Sequence, residues 1–194
     1  MSGQQLTSSR GGDDTERLLQ KAQEWILRLA LVLGSRQIVP FVPVRYEVIP
    51  TILDSLELGP DDVFYDLGCG DGRVVVYAAK YYGVRRSVCV EINRDLAMEA
   101  LERAAREGVA DRVVVLNADF MEIDVSDATA VYMYLLSSIN EALAPKLEVE
   151  LSPGSRVATL DFPIPNWIPV KVIGKSGWQK TVYIYVIGRH KQAP

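Results

Sequence analysis

The residues with the clearest chemical potential in this 194-residue chain lie in one run, Tyr65-Asp66-Leu67-Gly68-Cys69-Gly70-Asp71-Gly72-Arg73. The β-branched stretch Val63–Leu67 leads into it, and a helical stretch, predicted over Gly72–Tyr82, leads out. Glycines at such a junction allow tight turning and close backbone approach, and in an open α/β sheet ligands bind at the carboxyl ends of the strands. The spacing is Gly68-x-Gly70-x-Gly72, which differs from the G-x-G-x-x-G of dinucleotide sites. A pyrophosphate would meet the carboxylates of Asp66 and Asp71. S-adenosylmethionine carries a sulfonium and an ammonium and no phosphate, so it suits this loop better than NAD. Cys69 reads as a small residue of the same turn and Cys89 as a buried strand residue.

Two further acids follow on successive strands. Glu91 ends the predicted strand Ser87–Glu91, about 20 residues past the last loop glycine, where an acidic side chain accepts both hydroxyls of an adenosine ribose. Asp119 lies just past the predicted strand Val113–Asn117 and can accept the adenine amino group, with Phe120 packing nearby. Each has a plainer reading: a packing turn, a residue before the helix cap Asn93, a solvated turn aspartate. Their order on neighbouring strands favours a nucleoside pocket.

Such a pocket needs a sheet to hold it. Further strands are predicted at Ala130–Tyr134, Arg156–Leu160, Val170–Ile173 and Thr181–Ile187, with helices over Asn93–Glu107 and Ser137–Leu147. This alternation implies a mostly parallel sheet with helices on both faces. The last two strands are joined by Gly174-Lys175-Ser176-Gly177, too short for a parallel crossover, and so form an antiparallel hairpin. Upstream, Val44 to Leu56 reads as a helix with a kink near Pro50, preceded by the stiff connector Pro40-Phe41-Val42-Pro43. Leu18, Leu19, Ala22, Trp25, Ile26, Leu29, Val32 and Leu33 form an amphipathic helix behind a polar tail. The expected division is 1–39, tail and helix, and 40–194, the catalytic domain.

Composition narrows the chemistry. One histidine, His190, near the C-terminus, excludes a Ser-His-Asp triad or a histidine-based zinc site, and no metal is expected. Two cysteines are too few for a secreted disulfide scaffold and suit a reducing, cytoplasmic interior. Arg28 interrupts the N-terminal apolar run, so no transmembrane segment is expected. The net charge of −4 argues against stable nucleic-acid binding and suits a basic partner.

Tyr65-Asp66-Leu67-Gly68-Cys69-Gly70-Asp71-Gly72-Arg73, followed by Val90-Glu91-Ile92-Asn93, resembles the seven-strand Rossmann-like methyltransferases. A narrower resemblance, from about Pro40 to Arg189, is to the archaeal protein-lysine methyltransferases and their mitochondrial relatives, outside the SET class. It rests on Pro40-Phe41-Val42-Pro43, on Asn140 to Glu148, on Leu151-Ser152-Pro153-Gly154, on Phe162-Pro163-Ile164-Pro165-Asn166-Trp167, and on Thr181-Val182-Tyr183-Ile184-Tyr185. The resemblance implies S-adenosylmethionine held by Phe41, Asp66, Gly68, Cys69, Gly70, Gly72, Glu91, Ile92, Asp119 and Phe120, a lysine-rich protein as substrate, and a monomer. The family's archaeal members place a hydroxyl residue where this chain has Val44.

For the acceptor, a lysine amine must lose its proton, and an apolar or aromatic channel favours the neutral form. Tyr132 and Tyr134 alternate with Met133 and share a face, with Tyr134 at the strand end. Tyr134-Leu135-Leu136-Ser137 stands where enzymes acting on nucleobase amines carry Asn/Asp-Pro-Pro-Tyr, which lowers that reading. Tyr134 and Asp161 are the expected catalytic residues, Asp161 bonding the incoming ammonium or helping its deprotonation, with Phe162 and Trp167 as channel walls or as core anchors. The rival functions are methylation of a small molecule or RNA, a nucleoside-binding module without catalysis, and, more distantly, NAD binding.

Overall fold

The computed structural model describes residues 41–174 and 180–191. The expected N-terminal tail and amphipathic helix, and most of the hairpin turn, lie outside the described residues. Residues from Pro43 onward form one compact unit.

The first helix among the described residues, α1, spans Ile49–Ser55 and starts later than expected. Pro50 is the reason: it has no N–H to donate and fits a helix only in the first turn, so the helix starts around it and does not kink past it. Strand β1, Val63–Leu67, is buried along its whole length, as a central parallel strand must be. Helix α2, Arg73–Tyr77, continues as one π-helical turn, Ala78–Tyr82, and stops at Gly83 with φ 63°. Then come β2 (Arg86–Val90), α3 (Arg94–Arg106), β3 (Val113–Leu116) and β4 (Ala130–Met133). Asn93 caps α3 by accepting from the backbone N–H groups of Asp95 and Leu96. Glu91 and Tyr134 therefore stand one residue past their strands, where the chain leaves the sheet.

Helix α4 covers Ser137–Glu150, a turn longer than expected, with Pro145 inside it. Pro145 is on the exposed side of the helix, where the carbonyl it leaves unpaired is not trapped in the core. Strands β5 (Arg156–Leu160), β6 (Lys171–Ile173) and β7 (Val182–Val186) complete the sheet. The order is β3-β2-β1-β4-β5-β7-β6, with β1 to β5 parallel and β7 antiparallel to both neighbours. The chain winds outward from β1 in one direction and from β4 in the other. The crevice at their carboxyl ends is thus the position where doubly wound sheets bind ligands.

Each face of the sheet has its own core. One gathers Ile49, Ile52 and Leu53 of α1 with Phe64, Val75, Tyr132 and Leu160. The other gathers Leu67, Val90, Met133, Leu143, Leu147, Trp167 and Tyr185. His190, read from its position as a tail residue, belongs to the second side. It is buried, its ring centroid lies 4.1 Å from that of Trp167, and its carbonyl accepts the Ile168 N–H. No helix among the described residues is long and apolar enough to cross a membrane.

Candidate active site

The glycine turn is shaped by the backbone. Gly68, Gly70 and Gly72 have φ of 81°, 56° and 73°, in the left-handed region that side chains avoid. At Gly72 a Cβ would also come within 2.5 Å of the Ala100 Cβ, so its lack of a side chain lets α2 pack onto α3. The N–H groups of Gly68 and Cys69 both donate to the Val90 carbonyl, folding the turn back over β2. This brings Cys69 to Cys89, with Cα atoms 5.3 Å apart, and the two are joined in a disulfide. The expectation of two separate thiols is corrected. The β1/β2 register sets Asp66 beside Cys89, and the returning turn carries Cys69 over it.

The acids divide into three roles. Asp71 is clamped by Arg73 at 2.6 Å and Arg103 at 2.7 Å. Arg73 also bonds the Val44 carbonyl, and Arg103 the Asp71 carbonyl. Burial alone would raise the Asp71 carboxyl, but the hydrogen bonds and charge of Arg73, with Arg103, outweigh it and hold it below the usual range. Asp71 is therefore a structural anion, and its charge is spent on the loop and not left open to a ligand. Glu91 accepts the Gly70 N–H at 2.9 Å on one oxygen and the Asn93 N–H at 2.8 Å on the other, which fixes its carboxylate at the mouth of the turn with lone pairs to spare. Asp66 is fully buried and has no ion-pair partner among the described residues. Desolvation first, then the negative charges of Glu91 and Asp71, push its pKa well above the usual carboxylate range. A buried carboxylate beside a second acid is relieved by a cation, and this is the observation that fits S-adenosylmethionine to the crevice.

Asp119 turns on itself, its Oδ1 accepting the Met121 N–H, while Asn117 donates to the Glu91 and Ile92 carbonyls and ties the β2 and β3 ends together. Ile92 is exposed and Phe120 half-buried. Phe41, the first described residue, is exposed. Among the described residues no group of three or more His, Cys, Asp and Glu side chains is placed to hold a metal ion.

Across the crevice, Tyr134 and Phe162 stack with centroids 6.3 Å apart. The Tyr134 hydroxyl donates to Asp161 Oδ2 at 3.2 Å. Tyr132 lies beneath on the same face of the sheet, its hydroxyl buried and without a hydrogen-bond partner among the described residues. Burial, then the charge of Asp66, raises it well above an ordinary phenol. Trp167 is not part of this cluster. Its indole N–H donates to Glu148 and it packs edge-on against Tyr185 on the opposite core, so of its two expected roles the structure shows the core anchor.

One residue of the cluster was missed in the sequence. Lys180 Nζ bonds Asp161 Oδ2 at 2.6 Å and the Tyr134 hydroxyl at 2.7 Å, and sits 5.1 Å from the Tyr134 ring centroid. Burial lowers its pKa, but the bonds to Asp161 and Tyr134 more than reverse this, and it stays a cation. The available signal was the hairpin itself, which returns β7 antiparallel beside β5 and so sets the residue before Thr181 next to Asp161.

Fold and crevice together define a Rossmann-like, S-adenosylmethionine-dependent methyltransferase. Residues 66–171 match the ANTKMT methyltransferase domain, and the chain belongs to that family. It is 45% identical over 155 residues to a protein-lysine N-methyltransferase of Saccharolobus islandicus, covering 79% of this chain and 96% of that one. It is 35% identical to the adenine nucleotide translocase lysine N-methyltransferase of Mus musculus, covering 71% and 59% of the two chains. Among solved structures, an RNA methyltransferase from Salinibacter ruber in complex with S-adenosyl-L-homocysteine superposes with a TM-score of 0.73 at 39% identity, covering 79% of this chain and 97% of that one.

Proposed function

We propose that this chain methylates lysine side chains of proteins. The observation that carries the reading is the cluster at the ends of β4 and β5, where a phenol oxygen, two stacked rings and a carboxylate already accommodate an alkylammonium, that of Lys180. The curated relatives in Saccharolobus islandicus and mouse are both named as lysine methyltransferases. The net charge of −4 suits a basic protein substrate.

In the proposed division of labour, Asp66 faces the positive charge of the donor, Glu91 takes the ribose hydroxyls, and Asp119 with Phe120 holds the adenine; Gly68, Cys69, Gly70 and Ile92 line the approach. The donor supplies an electrophilic methyl group, and the chain's own residues position the amine and exclude water. Tyr134 meets the acceptor nitrogen, Phe162 forms the apolar wall, Tyr132 the floor, and Asp161 supplies the negative charge beneath. The working unit is a single chain in the cytoplasm of an archaeal cell, an environment in which hyperthermophiles retain disulfides.

RNA methylation is the second reading, favoured by the Salinibacter ruber RNA methyltransferase. Incubating the purified chain with radiolabelled S-adenosylmethionine and separate protein and RNA pools decides between them. Label is expected in lysines of basic proteins; label in RNA alone overturns the reading.

A further inference from the structure

We infer that Lys180 is a positioning residue for the acceptor amine and acts through Tyr134, an inference that rests on the lysine-methylation reading above. A phenol oxygen has one hydrogen to give and two lone pairs to offer. Lys180 Nζ, at 2.7 Å, takes one lone pair, and Asp161 Oδ2, at 3.2 Å, takes the hydrogen. One lone pair remains. Tyr134 can therefore accept an N–H from an incoming amine and cannot donate into the amine's own lone pair, the pair that must attack the methyl carbon. A hydroxyl free to rotate would do both and would hold part of the nucleophile in an unreactive hydrogen bond.

The backbone sets this arrangement. Asp161 has φ 61°, uncommon for a residue with a side chain, and the Phe162 N–H reaches back over it to the Leu160 carbonyl at 2.7 Å. Its N–H donates to the Thr181 carbonyl at 2.7 Å and its Oδ1 accepts the Thr181 N–H at 3.0 Å. Lys180, adjacent to Thr181 in the chain, is delivered by the same strand pairing. Residues 20 apart in sequence are thus fixed to each other by the antiparallel return. A non-glycine residue kept in the left-handed region is a strain that a structure retains where the position of its side chain matters. The Lys180 bond and charge also act on the phenol, opposing the upward push that burial gives Tyr134.

The test compares Lys180→Met, which keeps the stem and removes the donors, with Lys180→Arg, which keeps the charge, each in the wild-type and Tyr134→Phe backgrounds. Lys180→Met is expected to lower kcat about tenfold, with KM for the protein substrate within about twofold, while Lys180→Arg retains most of the rate. In the Tyr134→Phe background Lys180→Met is expected to cost nothing further, because a residue acting through a hydroxyl has no effect once that hydroxyl is gone. In the cofactor-free protein, NMR of tyrosines labelled at the ring carbon bearing the hydroxyl should show the Tyr134 titration moving to higher pH on Lys180→Met. Equal losses in both backgrounds overturn the inference, as does a rate that rises. Donor binding by calorimetry certifies the fold of each variant, and Lys180→Gln replaces Lys180→Met if that protein does not bind. Wild-type protein that methylates no lysine overturns the function and the inference together. A wild type that does so while the Tyr134 titration stays fixed overturns the inference alone.

Discussion

At the ends of β1 and β2 the crevice is made of backbone: left-handed glycines, N–H groups folded onto the Val90 carbonyl, and the carboxylates of Glu91 and Asp71, tied to main-chain donors and to Arg73 and Arg103. At the ends of β4, β5 and β7 it is made of side chains, Tyr134, Phe162, Asp161 and Lys180, laid on a backbone that most residues could form apart from the turn at Asp161. The first region cannot be changed without disturbing the fold. The second can change its chemistry while the sheet beneath stays as it is. On the proposed assignment of roles, this separates a donor site that must stay constant from an acceptor site that sets the substrate.

The contrast can be broken or sharpened by substitution. The largest effect is expected at Gly72→Ala, which combines a left-handed backbone with a Cβ driven into Ala100. Its cost is about 2–5 kcal/mol in urea denaturation, and a loss below about 1 kcal/mol would show the loop to be more pliable than drawn. Asp71→Asn leaves two half-buried guanidiniums without their anion, for about 3 kcal/mol. Asp71 also predicts a pH dependence. Its folded pKa is depressed, so its contribution is fully present above the unfolded value of about 3.9 and is lost as pH falls through the lower folded value. Melting curves between pH 5 and pH 2 should steepen in wild type relative to Asp71→Asn, measured by circular dichroism. Glu91→Ala is expected to weaken S-adenosylmethionine binding by about 1–3 kcal/mol in calorimetry. The smallest change in stability, about 1 kcal/mol, is expected at Tyr134→Phe, in which Lys180 and Asp161 still pair. Methyl transfer to protein should nevertheless fall about tenfold with donor affinity unchanged, by single-turnover assay.

The same contrast explains what the sequence could be made to reveal. The parallel strands, the glycine turn and Glu91 are local: β-branched runs, a fixed glycine spacing and an acid at a set distance can each be read within a few dozen residues. The antiparallel hairpin was legible because four residues cannot make a crossover. The partnership of Asp161 with Lys180 was not, because nothing in either residue's neighbourhood names the other until the strands are laid side by side. Asp71 has the sequence signature of an open charge for a related reason. Arg73 is two residues away, but Arg103 reaches it from α3, 32 residues along the chain. The cysteines were read from composition, which reports on compartment, whereas their pairing is decided by the fold of one turn.

The bond between Cys69 and Cys89 closes a covalent ring over residues 69–89 that contains Gly70 and Gly72 of the glycine turn, the whole of α2 and its π-helical extension, and most of β2. Unravelling of α2 within that ring cannot pull the two lips of the donor cradle apart. Fluctuations of the helix and opening of the cradle are thereby separate events, and only a reductant joins them.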